Sequence, residues 1–148
     1  MKDAVFTKNR KASFNFELLK RYEAGIVLDG HEVKSIQGNR VNITGSQIRI
    51  KDGRAFLIGA DIAPYQAGNM PKAHNPLRDR ELLLKKKEIL EIAQEVKEHK
   101  LTIVPISVYN RRYRIKVGFA LGKIKNKSDK RAALKKKDTL RKIKRITG

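Results

Sequence analysis

Hydrophobic and polar positions alternate with a period of two over several short stretches of this chain, the pattern of half-buried strands. The clearest stretch is 113–121. There Tyr113, Ile115, Val117, Phe119 and Leu121 are predicted to face inward and Arg114 and Lys116 outward, with Gly118 and Ala120 leaving room beside them. Residues 47–51 alternate as cleanly, with Ile48 and Ile50 on one face and Arg49 and Lys51 on the other. Asp52-Gly53 follows, a hairpin signal because glycine tolerates positive φ, and residues 55–62 return as the partner strand. A two-residue loop and a bulged three-residue loop would place Phe56 on opposite faces, so the register stays open. Residues 23–29 read as a strand ended by Gly30, and 101–109 as a strand interrupted by Pro105. A proline has no ladder hydrogen to give, which argues for an edge or a bulge. Residues 110–112 are a short hairpin loop.

Elsewhere the period lengthens. Over residues 80–99 a stripe of Ile89, Ile92, Ala93 and Val96, with Glu88, Glu91, Glu95 and Glu98 mostly off it, predicts a helix. Residues 32–37 predict a short helix with Val33 and Ile36 on one face, and 14–21 is a short helix or turn. Residues 63–79, with Pro64, Pro71 and Pro76, form a long loop, and 1–12 a flexible arm. Five or six short strands with local antiparallel hairpins and two or three helices predict a mainly β fold with α, a closed or nearly closed barrel over residues 1–121.

Charge changes this picture. The chain of 148 residues has 35 Lys and Arg against 15 Asp and Glu, a net charge of +20. The last 27 residues, 122–148, hold 12 basic residues and two acidic ones. They predict a tail disordered alone and helical against a polyanion, because Ala132, Ala133, Leu140, Ile143 and Ile146 fall on one side of a helix. Charge of this size points to a polyanionic partner without separating RNA, DNA and anionic membrane. The narrow tail stripe has no aromatic anchor, which counts against membrane or calmodulin-like docking. No apolar run approaches the ~20 residues of a spanning helix, and the N-terminus lacks the apolar segment of a signal peptide. Cysteine is absent, which removes disulfides and thiolate chemistry. His31, His74 and His99 are far apart, and no phosphate-binding loop, zinc motif or nucleophile set is present. No enzyme, metal or cofactor is expected. Composition alone fits a structural ribosomal protein or another rRNA-binding protein equally well.

Particular stretches narrow this. N-R-K-A at 9–12, Y-E-A-G-I-V-L-D-G-H-E-V-K-S at 22–35, V-N-I-T-G-S at 41–46, R-I-K-D-G at 49–53, H-N-P-L-R-D-R-E-L-L-L at 74–84 and D-K-R-A-A-L-K-K-K-D at 129–138 occur in the order found in the SmpB family, which the chain resembles over nearly its whole length. The resemblance implies an OB-like antiparallel β-barrel with flanking helices and a basic C-terminal tail. It implies an RNA-binding adaptor, cytoplasmic and monomeric when free, with no DNA or membrane partner. The barrel would bind the tRNA-like domain of transfer-messenger RNA (SsrA RNA) and deliver it to stalled ribosomes in trans-translation. The tail would enter the decoding centre and the empty mRNA channel.

By the same resemblance, Glu23, Leu84 and Arg114 or its neighbour Lys116 match positions tied to RNA binding. A salt bridge is the competing role for Glu23, and core packing for Leu84. Arg10, Lys11, Lys34, Arg78 and Arg80 are candidates for phosphate contacts by charge and motif position. In the tail, Asp129, Lys130 and Arg131 match the family's D-K-R, with Asp129 as a helix cap. Lys135, Lys136, Lys137 and Arg141 would meet ribosomal phosphates, and Ile143 and Ile146 would be the packing side. Ser128 stands where the family carries an aromatic or His.

Overall fold

A computed structural model describes residues 4–64 and 75–125. Residues 122–125 of the predicted tail are described, whereas its candidates from Asp129 to Ile146 lie outside the described residues, as do positions 1–3 and most of the long loop. Among the described residues nine strands and three helices occur in the order β1 (Val5–Lys8), α1 (Ala12–Asn15), β2 (Phe16–Ile26), α2 (Gly30–Gln37), β3 (Val41–Asn42), β4 (Gln47–Lys51), β5 (Arg54–Ile58), β6 (Asp61–Ile62), β7 (Arg80–Leu83), α3 (Lys86–His99), β8 (Thr102–Arg111) and β9 (Arg114–Ile124). Seven strands form one antiparallel sheet in the order β1-β8-β9-β2-β7-β5-β4, and β3 pairs with β6. The last strand, β4, also lies close to β8, so the sheet curls back on itself. The mainly β, OB-like architecture with flanking helices is thus the one expected. Inside the curl, Ala24, Ile48, Leu57, Leu82, Val108, Val117, Phe119 and Leu121 pack with Ile36 of α2 and Ile92 of α3.

The β4–β5 hairpin settles the register left open above. Ile48 faces Leu57 and Ile50 faces Ala55, around a two-residue turn in which Asp52 and Gly53 have φ of 52° and 74°. Pro105 sits at a bulge, since the β8–β9 register shifts between Pro105 and Ser107. The strand is interior, flanked by β1 and β9. Asn9 closes the bulge from the other side: its amide donates to the Ile106 carbonyl at 2.7 Å and Nδ2 to the Pro105 carbonyl at 3.0 Å.

Several expectations are corrected. The strand predicted at 23–29 begins at Phe16, where a short helix or turn was expected. A register shift between Leu18 and Arg21 breaks its two-residue alternation and hides it. Within the predicted arm, Val5–Lys8 is a strand on β8. Residues 80–83 of the predicted helix are β7, which pairs with β2 on one side and β5 on the other. Glu and Leu favour helix, but here ladder bonds on both sides and the burial of Leu82 override that preference. The helix itself begins at Lys86, with the Glu88 carboxylate accepting the Lys85 amide at 3.2 Å. In α3, Ile89 and Ile92 are buried, Val96 is half-buried, and Ala93 is exposed. Finally, β8 runs to Arg111, so Tyr113 lies in the turn and is 76% exposed instead of facing inward.

Candidate nucleic-acid interface

The outer face of β8, β9 and β2 carries polar and cationic side chains in register. Ser107, Tyr109 and Arg111 of β8 stand opposite Gly118, Lys116 and Arg114 of β9, and Glu23 and Gly25 of β2 stand opposite Gly118 and Lys116. Gly118 is what lets these rows meet. A Cβ there would lie 3.1 Å from Cε1 of Tyr109 and 3.3 Å from Oγ of Ser107, so the Tyr109 ring lies over the bare backbone. Its hydroxyl crosses β9 and donates to Oε2 of Glu23. Nη1 of Arg111 donates to the same oxygen at 2.9 Å. The Tyr109 bond, with help from Arg111 and Lys116, holds the Glu23 carboxyl below the usual range despite its partial burial. Burial and the adjacent carboxylate push the Tyr109 phenol up. The pair is therefore a charged acceptor and a protonated donor at neutral pH.

Glu32 builds a second cluster where α2 meets the segment before β7. Its Oε1 accepts the Asp29 amide at 2.9 Å, the reciprocal bond of a capped helix start. Arg80 bonds Oε2 at 2.7 Å, and its other nitrogens reach the carbonyls of Ala60 at 2.8 Å and Pro76 at 2.9 Å. Both Glu32 and Arg80 are fully buried. Arg78 also donates to Glu32, with Asp29 3.6 Å away.

The structure therefore sorts the candidates. Glu23, Arg114 and Lys116 share one sheet face, and the salt bridge weighed for Glu23 is present. Arg80 is removed as a phosphate contact: its guanidinium has no exposed surface and its donors are engaged by Glu32 and two carbonyls. Arg78 is half-buried and tied to the same carboxylate, and Lys34 is exposed on α2. Leu84 is half-buried and packs against the core. Arg10 and Lys11 are exposed just before α1. They lie near the far end of β9, where the Lys125 amide donates to the Asn15 carbonyl at 3.0 Å and Nζ to the Ser13 carbonyl at 2.8 Å. Tyr109 and Arg111 were not singled out from sequence, and Gly118 was read only as leaving room beside Arg114 and Lys116. The available signal was two aromatics interleaved with arginine and lysine around one hairpin, the mixture that stacks bases and neutralises phosphates. Among the described residues no group of three or more His, Asp or Glu is placed to hold a metal, and no helix is long and apolar enough to cross a membrane.

Residues 6–148 match the family model described as SmpB protein. The SsrA-binding protein of Sulfurihydrogenibium sp. (strain YO3AOP1) is 46% identical over 143 residues, 97% of this chain and 93% of that protein. The SsrA-binding protein of Mesoplasma florum is 45% identical over 142 residues, 96% of this chain and 95% of that one. A chain of the solved structure "tmRNA-SmpB: a journey to the center of the bacterial ribosome" superposes with a TM-score of 0.66 at 39% identity, covering 86% of this chain and 92% of its own.

Proposed function

Because the chain belongs to the SmpB family, we propose that it is an RNA-binding adaptor of trans-translation. It binds the tRNA-like domain of transfer-messenger RNA and brings it to stalled ribosomes in the cytoplasm. The tail beyond Lys125 reaches into the decoding centre and the empty mRNA channel. The reading assigns the chain no catalytic step.

One observation carries the barrel's part: the outer face of β8, β9 and β2 sets a fixed carboxylate among cations. Arg114 and Lys116 supply charge for phosphates, which gives affinity without sequence preference. Both bonds that fix Glu23 end on Oε2. A carboxylate held this way presents an acceptor to a base amino group or a ribose 2′-hydroxyl, the groups that distinguish folded RNA from a plain polyanion. The Tyr109 hydroxyl and the Arg111 guanidinium orient that acceptor.

The test is affinity for an isolated tRNA-like domain against a generic RNA duplex of equal length, at matched salt. The expected result is tighter binding to the former, with Glu23→Ala narrowing the preference. Equal wild-type affinity for both RNAs overturns the reading.

A further inference from the structure

We propose that the β8–β9 turn is a base-stacking site, in which the Tyr113 ring takes one unpaired nucleobase of the RNA at the mouth of the adjoining cleft. Arg114 and Lys116 neutralise the phosphates beside that nucleotide. The inference rests on the RNA-binding reading above and adds to it a stacking site at the hairpin turn, next to the Arg114 and Lys116 of that reading.

The first observation is the backbone. Arg112 and Tyr113 both have positive φ, 49° and 67°, in a two-residue turn. A turn of this hand favours Asn or Asp followed by Gly, because other side chains crowd the carbonyl oxygen. The β4–β5 turn of the same molecule obeys the preference with Asp52-Gly53. A bulky aromatic at positive φ is an outlier, and Tyr113 is 76% exposed. Strain of this kind, kept where a cheaper residue fits, clusters at binding sites.

The second observation is the surroundings. A cleft of about 410 Å³ opens beside the turn, lined by Phe6, Val33 and Leu83 together with Tyr113, Arg114 and Lys116. Leu83 is itself 57% exposed. The lining contains two cations and no acidic residue. Apolar walls, one exposed ring and two cations in the lining fit a nucleotide, flat and apolar on its faces and anionic at its phosphate. Stacking on such a ring tolerates any base.

The experiment uses the full chain with two RNAs, the tRNA-like domain and a short single-stranded oligonucleotide, titrated at several salt concentrations. Tyr113→Ala is expected to weaken binding roughly five- to 150-fold, the range for losing one base–aromatic stack. The slope of log affinity against log salt stays unchanged, because no phosphate contact is lost. Tyr113→Trp and Tyr113→Phe retain wild-type affinity within about twofold, while Arg114→Ala lowers the slope by about one. The double variant R112N/Y113G guards against a folding artefact: it is expected to melt above the wild type, because the turn strain is relieved, and to show the same loss of affinity as Tyr113→Ala. Unchanged binding by Tyr113→Ala, or a loss that appears as a reduced salt slope, overturns the proposal. Equal wild-type affinity for the tRNA-like domain and a duplex counts against the adaptor reading instead, and the stacking comparison is then read on the single-stranded RNA.

Discussion

Glu32 accepts bonds from the Asp29 amide and from two arginines while wholly out of solvent. Burial alone would raise its pKa. The bonds from Asp29, Arg80 and Arg78 outweigh that, and the carboxyl lies below its ordinary value of 4.5. A folded-state pKa that is depressed gives stabilisation present above the unfolded value and lost as the pH falls through the folded one. Unfolding free energy measured down a pH series is therefore expected to fall below pH 4.5, with a shallower fall in Glu32→Gln. Glu32→Ala strands a buried guanidinium and is expected to cost about 3–5 kcal/mol in urea unfolding. Arg78→Ala, which removes a half-exposed partner, is expected to cost less. Charge and motif position had made Arg80 a candidate phosphate contact. Its partner lies 48 residues earlier, and nothing local announces that separation.

At the scale of elements, legibility followed alternation. The β4–β5 hairpin was readable because Asp52-Gly53 states the turn and both strands keep strict period two. The bulge at Pro105 was readable because proline removes a donor. By contrast, β2 was half hidden by its register shift, and β7 by residues that favour helix when taken alone. The site divided the same way: Arg114 and Lys116 were read from alternation, whereas the Tyr109–Glu23 bond joins residues 86 apart. It depends on the room at Gly118, and that the Tyr109 ring fills this room shows only once the strands are side by side. A second glycine of β9 gives a test. A Cβ on Gly122 would lie 3.0 Å from both Cβ of Phe16 and Cγ2 of Val104. Gly122→Ala is expected to destabilise by about 1–3 kcal/mol through overpacking, read as a lowered midpoint in urea with an unchanged slope.

For the whole molecule, the uneven charge separates two tasks. Residues 122–148 hold 12 of the 35 basic side chains, so a mixed measurement of RNA affinity confuses their contribution with the barrel's. Truncation before Asp129 is expected to preserve the preference for the tRNA-like domain over duplex and to abolish peptide tagging on stalled ribosomes. Tagging that survives truncation would refute the division. The contributions also separate by salt, since a cationic segment adds steepness whereas shape recognition does not.

The anchoring of Lys125 to α1 has a geometric corollary. Arg114 stands at one end of β9 and Ile124 at the other, 11 residues of continuous strand. At ~3.3 Å per residue that strand spans up to about 33 Å. It is thus a ruler between the proposed RNA-contacting residue Arg114 and the anchored Lys125. Lengthening it by two residues would offset one from the other by roughly 7 Å while leaving every charge in place, and would change reach alone.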